Sequence, residues 1–254
     1  MDRNYPFIYA DKRATSARAF LRDQGLRVLP VVDGHKRLVG ILSRGDVMAI
    51  TSSVSPIQVK GIMAKTKFAA TTDMDARSAV QKMIRLDEWY VPVVKSSQDY
   101  TYVGTFSLEN FISTLLKKDL AALSKPLSEI MSTELITCSP EEEVDNVWRL
   151  MQERSFAGLP VVKRGRIVGI ITQKDLLDSG TILPAFESKK GRFKAPPKIS
   201  SVMRTSVTSL KPTATVREAA ELMLNKNIGR VPVVDAKGRL IGIVDREDIA
   251  EKLL

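Results

Sequence analysis

Four pairs of polar residues share one spacing in this chain, with a hydroxyl or carboxyl side chain followed three positions later by an acid or an amide. The pairs are Ser43 with Asp46, Ser107 with Asn110, Thr172 with Asp175, and Asp245 with Asp248. A hydroxyl at a helix N-terminus, beside free backbone N–H groups, suits a phosphate oxygen. A carboxylate one turn further on can accept hydrogen bonds from the hydroxyls of a ribose. The spacing therefore suits a nucleotide.

A second interpretation of the same spacing is purely structural. A serine or threonine followed three residues later by an acid is also a helix N-cap with a compatible first turn. From the residues alone, both interpretations stay open. The basic side chains of Arg44, Lys174 and Arg246 stand next to three of the pairs, and their charge favours a phosphorylated ligand over an uncharged one.

The four pairs are chemically unequal. In the second pair Asn110 replaces the acid, and an amide lacks the stronger charge-assisted hydrogen bond, so we expect the weaker ribose anchor there. In the fourth pair Asp245 replaces the hydroxyl and places a negative charge where a phosphate would approach, unless Arg230 or Arg246 offsets it. The role predicted for Asp248 is unaffected by that change.

Each pair ends a repeated apolar pattern that predicts a β-hairpin. A first apolar stretch contains Pro30, Pro92, Pro160 or Pro232, and a second contains Gly40, Gly104, Gly169 or Gly242, which follow by 10, 12, 9 and 10 residues. Both stretches are short, rich in β-branched residues and bounded by turn residues. A proline near the start of the first strand indicates an edge or strand-entry position.

Helical patterns precede each hairpin. Apolar residues recur with a period near 3.6 in residues 16–22, 76–85, 144–153 and 216–224. Thr215 and Glu218 form a predicted capping box for the last of these helices. Met63, Met131 and Met203 each precede their proline by 29 residues, a regularity that marks the start of a repeat. The predicted fold is α+β, with four units of strand, helix, strand, strand and helix.

These four units resemble cystathionine-β-synthase (CBS) domains, and the resemblance is specific because four copies keep the same register. The predicted boundaries are 1–58, 59–120, 127–180 and 199–254, with a basic linker at 181–198. The resemblance implies that repeat one pairs with two and repeat three with four, giving two pseudo-twofold modules. Two such modules can stack into a disc, as in the γ subunits of AMP-activated protein kinase. The protein is therefore expected to be a monomeric disc or a homodimer.

The resemblance also implies the ligand contacts. In CBS domains the hydroxyl and the aspartate contact phosphate and ribose, and the third repeat matches that pattern best, followed by the first. A second wall of the ligand site is formed by the residues 23 positions before two of the prolines and by the neighbours of those prolines. A Thr or Ser at that position is also an ordinary strand residue. The complete predicted set is Ser43, Arg44, Asp46, Thr137, Leu159, Pro160, Thr172, Lys174, Asp175, Ser209, Arg230, Val231, Pro232, Arg246 and Asp248, with a weaker site at Ser107 and Asn110.

Composition excludes several classes of protein. The chain has 254 residues, a net charge of +10, 44% hydrophobic residues and no run of about 18 apolar residues, which predicts a soluble, cytoplasmic protein. One cysteine, Cys138, and one histidine, His35, exclude an internal disulfide and a zinc site. Neither a G-x-x-x-x-G-K-[ST] loop nor a G-x-G-x-x-G motif occurs, so no enzyme activity and no required cofactor are expected. Trp89 and Trp148 are predicted to lie on helices as core residues.

The sequence thus predicts a non-catalytic sensor of AMP, ADP or ATP that regulates a protein partner in trans. S-adenosylmethionine is an alternative ligand, because some CBS modules are known for it. A nucleic-acid-binding protein is the alternative from another class, because residues 187–198 contain five basic residues and one acid, a net +4. The same stretch is equally consistent with a solvated linker.

Overall fold

The computed structural model describes residues 1–48, 50, 55–180 and 197–254. Short β-branched runs form its strands and the segments of period 3.6 form its longer helices. Repeat one contains β1 (Ile8–Tyr9), α1 (Ala14–Asp23), β2 (Val28–Val32), β3 (Leu38–Ser43) and α2 (Arg44–Met48). Repeat two contains β4 (Ala70–Thr71), α3 (Ala76–Arg85), β5 (Tyr90–Val94), β6 (Tyr102–Ser107) and α4 (Leu108–Leu115).

The other two repeats lack only a full leading strand. Repeat three contains α5 (Val144–Glu153), β7 (Gly158–Lys163), β8 (Arg166–Thr172) and α6 (Gln173–Ser179), and repeat four contains α7 (Val216–Asn225), β9 (Arg230–Val234), β10 (Leu240–Asp245) and α8 (Arg246–Leu253). In place of β1 and β4 they have single parallel bridges, Cys138 to Val161 and Leu210 to Val233. The predicted order of strand, helix, strand, strand and helix is thus confirmed in repeats one and two, and in repeats three and four with the leading strand reduced to one bridge.

All four hairpins keep the same register around the recurring proline and glycine. The residue after the proline faces the glycine in the pairs Val31 with Gly40, Val93 with Gly104, Val161 with Gly169, and Val233 with Gly242. Of the two predicted positions for the proline, the edge is wrong in repeats one and two, because β2 lies between β1 and β3 and β5 lies between β4 and β6, whereas β7 and β9 each belong to a two-stranded sheet. Proline has no N–H to donate, and the parallel segment beside the strand starts to pair with it only at the proline carbonyl. In repeat three, the Pro160 carbonyl accepts from the Cys138 N–H at 3.1 Å.

The predicted capping box of α7 is also present. The Thr215 N–H donates to Oε2 of Glu218 at 2.6 Å, and the Glu218 N–H donates to the Thr215 hydroxyl at 3.2 Å. One face of this helix is fully buried through Val216, Ala219 and Ala220. Local capping and an apolar stripe therefore agree on where the helix begins and which face it buries.

The chain divides into two compact units, and each combines alternate repeats. The even unit contains residues 1–5, 67–135 and 208–254, with the bodies of repeats two and four, and the odd unit contains residues 6–66 and 136–207, with repeats one and three. The expected pairing of one with two and three with four does not describe these units. Packing of the last helices explains the difference, since α4 contacts α8 in the even unit and α2 contacts α6 in the odd unit.

The expected partnership appears instead as an exchange of leading segments, the residues that begin at the recurring methionine. The leading segment of repeat one bridges repeat two, that of two bridges one, that of three bridges four, and that of four bridges three. The bridges are Asp2 to Thr105, Ala64 to Ile41, Ser132 to Ile243, and Arg204 to Ile170.

This exchange explains the spacing of the methionines. A Cβ placed on Gly40 would lie 2.8 Å from Sδ of Met63, and one on Gly242 would lie 2.5 Å from Sδ of Met131. Gly169 is crossed in the same way by Met203. The glycine is therefore needed because a leading segment from another repeat passes directly over it.

Most of the predicted basic linker, residues 181–196, lies outside the described residues. Its last residue, Lys198, pairs with Glu141 at 3.3 Å. Within the part of the chain that the structure describes, no helix is both long and apolar enough to cross a membrane.

Candidate functional site

The odd unit contains the two junctions of hairpin and helix that match the predicted pattern best. At the start of α6, the Thr172 N–H and hydroxyl donate to Oδ2 of Asp175 at 2.9 and 2.5 Å, and the Asp175 N–H donates to the Thr172 hydroxyl at 3.2 Å. Ser43 and Asp46 repeat this arrangement at the start of α2. The helices that begin at these two junctions, α2 and α6, contact each other within the odd unit.

The even unit contains the other two junctions. Ser107 and Asn110 form a capping box at the start of α4, and Asp245 and Asp248 form one at the start of α8. The structural interpretation of the spacing is therefore realised at all four junctions. Capping alone cannot distinguish the four, so their surroundings decide what each can bind.

One basic residue of the repeat-three junction was missed by the sequence analysis. Arg204, from the leading segment of repeat four, places its Nε 2.5 Å from Oδ1 of Asp175, whose side chain is only 5% exposed. The pair lies 29 residues apart in sequence. The signal that could have revealed it is the exchange of leading segments, which places the residue after Met203 beside β8.

Arg44, one of the predicted phosphate-binding cations, is directed into the protein instead. Arg44 is 7% exposed, and its guanidinium donates to the carbonyls of Gly25 and Leu26 at 2.6 and 2.7 Å. Lys174 remains near the surface, where its Nζ pairs with Asp178 at 2.5 Å. Of the two, Lys174 is thus the more accessible to a ligand, and phosphate contact by either stays a prediction.

Arg246 forms the second buried cation. It is 1% exposed, and its Nη1 donates to Oε2 of Glu109 at 2.9 Å and to the Tyr90 hydroxyl at 3.1 Å. Its Nε and Nη2 are buried without a hydrogen-bond partner among the described residues. Arg246 therefore links repeats four and two, and is not directed at a phosphate beside Asp245.

The repeat-four junction is rich in acids. Asp245, Glu247 and Asp248 stand together at the start of α8, and Arg230 faces Asp245 across the hairpin. Trp89 was predicted to lie on a helix, but it lies between α3 and β5, where its Nε1 donates to Glu247 at 3.2 Å. The Arg230 guanidinium lies 5.9 Å from the centroid of the Trp89 ring. Of the two cations proposed to offset Asp245, only Arg230 is placed to do so.

Burial and mutual repulsion change the acidity of this group. Burial, followed by the charge of Asp245, raises the pKa of Asp248 to about 7. The same two causes raise the pKa of Glu247 to about 7, against the hydrogen bond from Trp89, which lowers it. Both carboxyls therefore titrate near neutral pH.

We predict that the stability of the protein falls as the pH rises from 6 to 8. A carboxyl whose pKa is raised by folding is protonated in the folded state and ionised in the unfolded chain, so its stabilising proton is lost as pH rises through 7. The loss should be about 1 kcal/mol for this partly exposed group. Urea unfolding at several pH values should show the slope, and Asp248→Asn should flatten it. An unchanged slope in that variant would contradict the assignment.

The predicted second wall lies on the leading segments and the first hairpin strands. Thr137 and Ser209 are half-buried and directly precede the bridging residues Cys138 and Leu210. Leu159 and Val231 are buried, and each precedes its strand proline, Pro160 or Pro232. The structure thus groups Thr137, Leu159 and Pro160 in the odd unit, and Ser209, Val231 and Pro232 in the even unit.

Metal chemistry has no support in the described part of the chain. Among these residues, no group of three or more His, Cys, Asp or Glu side chains is arranged to hold a metal ion. Cys138 is buried, and burial raises its pKa to about 12, so its thiol is a small apolar core group.

Comparison with known families identifies the repeats. The model described as "CBS domain" matches residues 1–52, 127–180 and 199–254, more than half of the chain. The second repeat lies outside these ranges, yet its hairpin has the register of the other three.

A relative from Methanocaldococcus jannaschii, the uncharacterized protein MJ1225, is 24% identical over 95% of this chain and 92% of its own length. Its crystal structure, described as that of a proposed archaeal homologue of γ-AMPK, matches with a TM-score of 0.88 at 21% identity and covers 100% of this chain and 98% of that one. This similarity extends to the whole four-repeat fold.

Two solved CBS pairs match half of the chain. CBSX2 from Arabidopsis thaliana, solved in complex with AMP, is 29% identical over 50% of this chain and 93% of its own, with a TM-score of 0.43. The CBS pair of MJ0100, solved with 5′-methylthioadenosine and S-adenosyl-L-methionine, is 28% identical over 50% of this chain and 94% of its own, with a TM-score of 0.41.

Proposed function

Because the chain belongs to the CBS domain family, we propose that it is a non-catalytic regulatory protein that senses adenine nucleotides. One observation carries the proposal: the repeat-three junction combines a hydroxyl, a buried carboxylate and two cations near the surface. Thr172 and Asp175 form this junction and Arg204 pairs with Asp175, while Lys174 lies in the first turn of α6 and pairs with Asp178. A hydroxyl and cations suit a phosphate, and the carboxylate suits ribose hydroxyls.

The proposal predicts that AMP, ADP or ATP binds and that Asp175→Asn weakens binding at least about tenfold, because the amide loses the charge-assisted bonds to the ribose. Isothermal titration calorimetry on the full chain measures this. Asp145→Asn is the matched control, since Asp145 also lies in the first turn of a helix of repeat three. Thermal unfolding of each variant checks the fold.

Two results would contradict the proposal. One is the absence of any nucleotide binding at millimolar concentration. The other is binding that Asp175→Asn leaves at wild-type affinity, because the junction would then not be the site.

A second ligand is favoured by the acid-rich repeat-four junction. Asp245, Glu247 and Asp248 create a local negative charge that Arg230 offsets only in part, which suits a cationic adenosine compound such as S-adenosylmethionine. Titration with this compound should show binding that Asp248→Asn weakens and Asp175→Asn does not. Equal sensitivity to both variants would remove the distinction between the two junctions.

As a sensor, the protein would act in the cytoplasm by changing its contact with a protein partner when nucleotide binds. Co-purification with and without AMP tests this step. Nucleic-acid binding, the alternative from the sequence, would instead show affinity that falls steeply with salt and is insensitive to Asp175→Asn.

A further inference from the structure

Both oxygens of the Asp175 carboxylate are already engaged in the protein alone. Oδ2 accepts hydrogen bonds from the N–H and hydroxyl of Thr172, and Oδ1 pairs with Nε of Arg204. The carboxylate is almost completely buried. A ribose hydroxyl that takes the place of the guanidinium on Oδ1 therefore requires the Arg204 side chain to move away.

Arg204 can make that movement without any change in the backbone. Its N–H and carbonyl are each hydrogen-bonded to Ile170 at 2.9 Å, and the neighbouring Met203 packs over Gly169, so the main chain is held in place. The Arg204 side chain, in contrast, is 57% exposed. The side chain is thus exposed to solvent while its backbone is held in place, next to the acceptor of the proposed site.

We propose that Arg204 is the specificity-determining residue of the repeat-three site and selects phosphorylated adenosine over adenosine. This inference rests on the proposed function. An incoming phosphate offers the guanidinium a new anionic partner, and Oδ1 of Asp175 is then free to accept from the ribose hydroxyls. Adenosine brings no anion, so its ribose must displace the guanidinium from a buried carboxylate with no compensating pair.

The same position in the other repeats shows that this arrangement belongs to one junction. The residues that follow the recurring methionine in the leading segments of repeats one, two and three are Asp2, Ala64 and Ser132. They cross the hairpins of repeats two, one and four at the position that Arg204 occupies on repeat three. None of these three side chains is cationic, so selection by a guanidinium at this position is specific to repeat three.

The test compares AMP and adenosine binding to the full chain by calorimetry, with the repeat-three signal defined as the part that Asp175→Asn removes. We expect wild type to prefer AMP over adenosine by about 100-fold or more at this site. Arg204→Gln should weaken AMP and strengthen adenosine, lowering that ratio at least about tenfold. Arg204→Lys keeps the positive charge but loses the planar guanidinium that can donate two parallel hydrogen bonds, so it should give an intermediate ratio. Arg166→Gln, an exposed arginine of β8, is the control and should leave the ratio unchanged.

The outcomes separate this inference from the proposed function. If AMP binds at the site but Arg204→Gln leaves the ratio at its wild-type value, the inference is wrong and the proposed function stands. If Asp175→Asn removes no AMP signal, both are wrong. A simple loss of affinity for AMP and adenosine alike would also overturn the inference, because it would indicate a structural role for Arg204.

Discussion

Replacing Glu109 with alanine is expected to lower the free energy of unfolding by about 3 kcal/mol. The Arg246 guanidinium is 1% exposed, and two of its nitrogens, Nε and Nη2, have no hydrogen-bond partner among the described residues. Glu109 is its only carboxylate partner in the described structure. Removing that carboxylate leaves a buried cation with only the Tyr90 hydroxyl to stabilise it. Urea unfolding of the full chain provides the measurement.

The matched variant is Arg246→Met, which removes the buried charge and keeps an apolar side chain of similar length. Its cost should be about 1 kcal/mol or less, because replacing a buried ion with an apolar group also removes the desolvation penalty. The double variant should resemble Arg246→Met alone. If Glu109→Ala costs no more than Arg246→Met, the ion pair does not hold repeats two and four together as we describe.

Replacing Gly242 with alanine should destabilise the even unit by about 1 to 3 kcal/mol, because the new methyl group would overpack the crossing of β10 by Met131. A Cβ at this position would lie 2.5 Å from Sδ and 3.0 Å from Cγ of Met131. Thermal unfolding of the variant gives the size of the effect. Gly34→Ala is the control, since a Cβ on Gly34 would meet nothing within 4 Å.

A double-mutant cycle identifies the cause of this effect. Met131→Ala removes the colliding side chain, so the double variant should be more stable than the sum of the two single effects predicts. Additive effects would show that Gly242 is needed for another reason, such as its own backbone conformation.

The secondary structure could be predicted because its signals are local. The helices at 76–85 and 144–153 have the predicted bounds, since their apolar period and their flanking turns lie within the same few residues. The hairpins were equally clear, because strand composition and turn residues adjoin one another. The junction pairs followed from the same local spacing, and their capping geometry is present at all four positions.

The partners of the charged residues could not be predicted in this way. Arg246 was expected beside a phosphate, but it contacts Glu109, which lies 137 positions earlier in the chain. Arg204 was overlooked because its carboxylate belongs to another repeat. The apolar spacing around Trp89 predicts a helix there, but α3 ends at Arg85 and Trp89 contacts Glu247 of repeat four. In each case the decisive contact joins two repeats, and a repeat pattern does not say which copy meets which.

The crossing of leading segments also determines how such a chain can be shortened, copied or recombined. In a fragment that contains one repeat, no leading segment packs over the glycine of the hairpin, and the fragment's own leading segment has no hairpin to pack on. A fragment that encodes repeats one and two, or three and four, retains both donors and both acceptors of the exchange. The smallest fragment that keeps its exchange is therefore two repeats long. Fusions and duplications built from this chain should divide it after the second repeat.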